Sequence, residues 1–130
     1  MDLLTDDLRR ALLNNGAVPD ETDHKPVVKF FTPDAAATWL ITEMYPDDQD
    51  ILFGLCDLGM GFAELGTVSF SELKALRGRL GLPVERDLFF AAKHPLSVYT
   101  EAARLAGCII TETQQLEAAA QRLAQQKRRA

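Results

Sequence analysis

The stretch that decides the fold is residues 27–90. It holds four runs: VVKFFTP (27–33), TWLITEMYPDDQDILFGLCDLG (38–59), ELGTVSFSELKALRG (64–78) and GLPVERDLFF (81–90). Apolar, β-branched and aromatic residues crowd segments of four to eight positions, and Pro, Gly or Asp breaks each one. This pattern predicts strands over Val27–Thr32, Thr38–Tyr45, Ile51–Leu58, Glu64–Val68 and Arg86–Phe90. The linkers Pro46–Asp50 and Gly59–Gly61 are short. They favour antiparallel neighbours, because parallel pairs need long crossovers. Ser69-Phe70-Ser71-Glu72 has the spacing of a capping box, so a short helix is expected from there to Arg77, with Gly78 as its stop.

Outside this stretch the periodicity is helical. Over residues 5–15, Thr5 can cap the first turn, Asp6 and Asp7 suit its dipole, and Leu8, Ala11 and Leu12 share a face. Residues 17–26 are a polar loop. Pro95 can start a helix running to about Leu105, with Gly107 ending it. A last helix is expected from Thr111 to Arg129. The sequence thus predicts an α+β fold: an antiparallel sheet of about four to five short strands, an N-terminal helix, a short inserted helix and C-terminal helices. Residues 1–107 form one domain in this reading, and residues 108–130 a helical extension. Leu116, Ala120 and Leu123 make a narrow seam on that extension. It suits packing on its own domain or a homo-oligomer joined through the C-terminal helix, and is too short for a coiled coil.

The length, 130 residues, fits a single domain with a core of its own. No apolar run approaches the roughly 18 residues that span a bilayer. The start, MDLLTDDLRR, has no basic and apolar signal pattern, so no membrane association and a cytoplasmic location are expected. Two scattered cysteines, Cys56 and Cys108, form neither a disulfide framework nor a zinc motif. Charge is uneven. Residues 1–100 carry 16 acids and 9 Lys/Arg, a net −7, and residues 101–130 a net +2. The acidic body repels phosphate backbones, which disfavours nucleic acid and favours a protein partner.

No motif implies a cofactor or a metal. FGLCDLGMGF lacks the order of a phosphate-binding loop, and His24 and His94 belong to no ligand pair. The sharpest chemical expectation concerns acids. If Phe53 aligns with Val68 and Leu55 with Gly66, Asp57 lies opposite Glu64. The two carboxylates would then sit roughly 5 Å apart at Cβ. Such a pair could hold Mg²⁺ or Mn²⁺ in a phosphoester- or nucleic-acid-processing enzyme, alone or with Glu43 as a further acid. A one-residue slip would put the two acids on opposite faces. Arg86, if inward, needs a carboxylate such as Glu43, Glu64 or Glu72. Trp39 is expected in the core. Asp57, Glu64, Glu43, Arg86 and Trp39 are therefore the candidate binding residues, and none is assigned a catalytic role.

The pieces KFFTPD, TWLITE, FGL, ELGTVSFSEL, LRG and GLPVERDLFF, with LLTDDLRRALL before them, occur in one order. Over roughly residues 3–100 the chain resembles the bacterial family called domain of unknown function 2958. The resemblance implies a small accessory protein carried by plasmids, integrative elements or phages. Regulatory and counter-defence roles fit that setting: an acidic inhibitor of a host defence system, or a conjugation regulator. It carries over no catalytic residues.

Overall fold

The computed structural model describes residues 1–19 and 22–129; the Asp20-Glu21 step of the polar loop and Ala130 lie outside the described residues. Helix α1 spans Asp6–Gly16, and Thr5 accepts the Leu8 N–H at 3.2 Å as its cap. Five strands follow: β1 (Val28–Phe31), β2 (Thr38–Tyr45), β3 (Asp48–Asp57), β4 (Ala63–Ser69) and β5 (Glu85–Arg86). Helix α2 (Phe70–Ala75) lies between β4 and β5. Helices α3 (Leu96–Ala106) and α4 (Thr113–Arg129) end the chain. The sheet order is β4-β3-β2-β1-β5, and every neighbouring pair is antiparallel. This is the α+β architecture that the sequence predicts.

Both faces of the sheet are covered. One face carries Phe30, Trp39, Ile41, Met44 and Leu52 against Leu12 of α1 and Phe70 and Leu73 of α2. The other carries Leu40 and Leu55 against Val98, Tyr99 and Ala102 of α3 and Leu116 and Ala119 of α4. Double coverage explains why β2 reads as an almost unbroken apolar run: strands buried on both sides do not alternate. The Leu116–Ala120–Leu123 seam faces this second core, so α4 packs on its own chain through those residues.

The departures from expectation are local. β3 begins at Asp48, so the acidic linker is mostly strand and the turn is Pro46-Asp47. Asp50 supports this by accepting the Ser69 hydroxyl at 2.5 Å and the Ser71 N–H at 2.8 Å, which ties β3 to the start of α2. β5 is two residues long rather than five. The Asp87 carboxylate accepts the Phe89 N–H at 2.9 Å and turns the chain there, leaving Phe89 95% exposed. Ser69 caps α2 by accepting from the Glu72 N–H at 3.2 Å, and the helix ends at Ala75. Gly107, at φ 81°, closes α3 in the left-handed conformation.

Candidate functional site

Asp57 and Glu64 do not meet. The β3–β4 ladder aligns Leu55 with Leu65, Cys56 with Glu64 and Asp57 with Ala63. This is one residue away from the register that would pair the acids, so the two side chains leave opposite faces of the sheet. The turn sets the slip: Gly59 and Gly61, both at positive φ, return the chain within residues 58–62. Burial agrees, because Leu65 then borders the α3 side opposite the fully buried Leu55. Asp57 is 4% exposed and serves the scaffold. It accepts the Gly59 N–H at 2.8 Å and the Ile109 N–H at 2.9 Å. Glu64 is exposed and faces Cys56 across the ladder. Burial, and after it the charge of Glu64, pushes the Cys56 thiol pKa up.

The other candidates separate as well. Trp39 is in the core, as expected, and pairs with Cys56. Among the described residues Arg86 finds no carboxylate; its guanidinium donates to the backbone carbonyls of Asp2 at 2.8 Å and Leu3 at 3.0 Å, clasping the N-terminus. The ion pair beside it is instead Lys29–Asp87, at 3.5 Å. Glu43 pairs with Phe53 across the β2–β3 ladder. A bulge between Ile41 and Glu43 restarts the alternation there and turns Glu43 toward α3.

Glu43 thereby lines a cavity of about 380 Å³ between the sheet, α3 and α4. Phe53, Leu65, Leu96 and Leu123 give it apolar walls. Asp23, His24, Glu43, Glu101 and Arg104 bring charge and hydrogen-bonding groups to it. The loop before β1 builds one side by capping α3, whose own Pro95 supplies no cap. Asp23 accepts the Ser97 N–H at 3.0 Å and also its hydroxyl, while the His24 carbonyl accepts the Leu96 N–H at 2.9 Å. The other side is set by Glu101, 7% exposed, which accepts from Arg104 Nε at 2.6 Å. That hydrogen bond, helped by the charges of Arg104 and Arg122, holds the Glu101 carboxyl below the usual range against the opposing effect of burial. Three carboxylates against one arginine leave the cavity acidic. Among the described residues no three His, Cys, Asp or Glu side chains come together as a metal site.

Of the five candidates read from the sequence, only Glu43 reaches this cavity. Asp23, His24, Glu101 and Arg104 escape the sequence reading because they come from a loop and a helix distant in the chain. One signal was present. Glu101 lies three residues after Val98 and one before Ala102, a charge set within the buried stripe of α3.

The comparisons with known proteins bear on the chain as a whole. The model of one family, described as Protein of unknown function (DUF2958), matches residues 3–110. Neither the curated proteins nor the solved structures gave a match. Among the described residues no helix is long and apolar enough to cross a membrane.

Proposed function

The chain belongs to the DUF2958 family, and from that premise we propose that it is a non-catalytic, acidic protein-binding module of a mobile element. It acts as an inhibitor of a host defence system or as a plasmid or conjugation regulator, and it works in the cytoplasm. The observation that carries this reading is the acidic, apolar-walled cavity between α3 and the sheet. A largely apolar concavity with a few placed charged groups is the usual form of a recognition site. The net −7 of residues 1–100 adds long-range attraction for a basic partner. The competing enzyme reading needs Asp57 and Glu64 side by side. Asp57 is instead engaged with two backbone N–H groups, and Glu64 lies on the other face.

The test is expression of the chain in host cells that carry a restriction or other defence system. Phage plating and conjugative transfer are measured with and without it, and tagged protein is co-purified from the same cells. The expected result is a change in plating or transfer together with recovery of a defined protein at fixed stoichiometry. Unchanged plating and transfer with no co-purifying protein would overturn the reading.

A further inference from the structure

The two edges of the sheet are built differently. β5 is two residues long, and the Lys29–Asp87 ion pair lies beside it. Short edges flanked by charge resist pairing with other chains. β4 is seven residues long, outermost, and paired with β3 through seven successive positions without a bulge. It contains neither Pro nor Lys. Glu64, Leu65 and Thr67 are exposed along it, and the space beside Gly66 is open, since a Cβ there would meet nothing within 4 Å. The outer N–H and C=O groups of such a strand are a template for another strand.

Edge and cavity share a residue. Leu65 is half-exposed on β4 and is also a wall of the acidic cavity. The cavity continues from it over Phe53 of β3 to Glu43 of β2, beneath Glu101 and Arg104 of α3. A strand added to β4 would extend this row by one position, placing alternate side chains beside Leu65 on the cavity side. The lining fixes which side chain belongs there. Its net negative charge selects a cation, and its apolar walls suit a long aliphatic stem.

We infer that the β4 edge receives an extended segment of a partner protein, and that a Lys or Arg side chain of that segment enters the acidic cavity beside Leu65. Main-chain hydrogen bonds to β4 give affinity, and the basic side chain gives specificity. The inference rests on the protein-binding reading above and names the chemistry of its partner.

The experiment selects binders to the 130-residue chain from a displayed library of random ten-residue peptides. Recovered peptides are then measured against wild type, Leu65→Lys and Glu43→Gln, with melting curves to show that both variants fold. Expected sequences hold β-forming residues around one recurrent Lys or Arg. Replacing that residue by Gln should weaken binding about tenfold or more. Leu65→Lys should abolish binding, and Glu43→Gln should reduce the preference for the basic residue. Bound peptide should slow amide exchange over residues 63–69. Recovery of no binders, binders without a basic residue, binders indifferent to Leu65→Lys, or protection elsewhere would each overturn the inference. If the cell assays succeed while any of these occurs, the module reading stands and the edge site fails alone.

Discussion

The carboxylate of Asp57, at the end of β3, accepts the backbone N–H of Ile109 at 2.9 Å, across 52 residues of sequence. Its other oxygen accepts the Gly59 N–H at 2.8 Å, so one buried side chain fixes both the β3–β4 turn and the link between α3 and α4. Asp57→Ala would leave two part-buried donors without their acceptor. A buried donor left unsatisfied costs about 1–3 kcal/mol, so the variant should lose at least that much stability. Urea denaturation measures the loss. Faster amide exchange at Ile109 should accompany it, while Glu64→Gln, at an exposed position, should leave stability within about 0.5 kcal/mol of wild type.

Gly54 and Gly66 are cross-strand partners with opposite tolerances. A Cβ at Gly54 would lie 2.0 Å from the Leu40 carbonyl oxygen and 2.9 Å from the Ile41 Cα, both rigid backbone. At Gly66 it would meet nothing. Gly54→Ala should therefore destabilise by about 1–3 kcal/mol or more through overpacking beside the β2 bulge. Gly66→Ala should be neutral or stabilising by up to about 1 kcal/mol, because it restricts the unfolded chain without strain. Thermal melts of the two variants check the contrast.

Asp50 gives the protein an acid-side dependence. The hydroxyl of Ser69, and after it the N–H of Ser71, hold its carboxyl below the ordinary value of 3.8. A folded-state pKa below the unfolded one contributes stability that is present above the unfolded value and is lost as pH falls through the folded one. The stability difference between wild type and Asp50→Asn should be constant above about pH 5 and shrink as pH drops below about 4. A difference that grows on acidification would contradict the arrangement.

The two thiols should react unequally. Cys108 is exposed, whereas Cys56 is half-buried with its thiol pKa raised by burial and by Glu64. The thiolate is the reactive species, so Cys56 should be alkylated at least about tenfold more slowly at neutral pH. Mass spectrometry of partly labelled protein reads the ratio directly. Equal labelling would mean that the β3–β4 region opens readily.

The sequence made the elements legible where local chemistry dominates. Thr38–Tyr45 is strand β2 at both ends. The cap at Ser69 and the stop at Gly107 depend on neighbours within a few residues, and both are present. Register was a different matter. Whether Leu55 faces Leu65 or Gly66 turns on one residue in the 58–62 turn, and which face Glu43 takes turns on the bulge in β2; no periodicity reveals either. That slip separated Asp57 from Glu64, and the bulge brought Glu43 to the cavity. The rest of the cavity depends on where α3 lies on the sheet, a tertiary outcome that a run such as LSVYTEAARLA does not encode locally. Arg86 illustrates the same limit: its partners are main-chain carbonyls at the other end of the sequence.

The family match ends at residue 110, yet the second core does not. Leu116 is 3% exposed and Ala119 is fully buried, both packed with the cluster that contains Leu40 and Leu55. Leu116→Ala should therefore cost about 2–5 kcal/mol, the range for a buried leucine truncated in a core. A chain ended after Ile110 would uncover the apolar residues of α3 that α4 covers. It should melt earlier, bind a hydrophobic dye and associate at high concentration, as exposed apolar patches do. Light scattering and dye fluorescence on the shortened chain test this. If it remained monomeric and as stable as the full chain, α4 would be an appendage and the burial of Leu116 would contribute nothing to the fold.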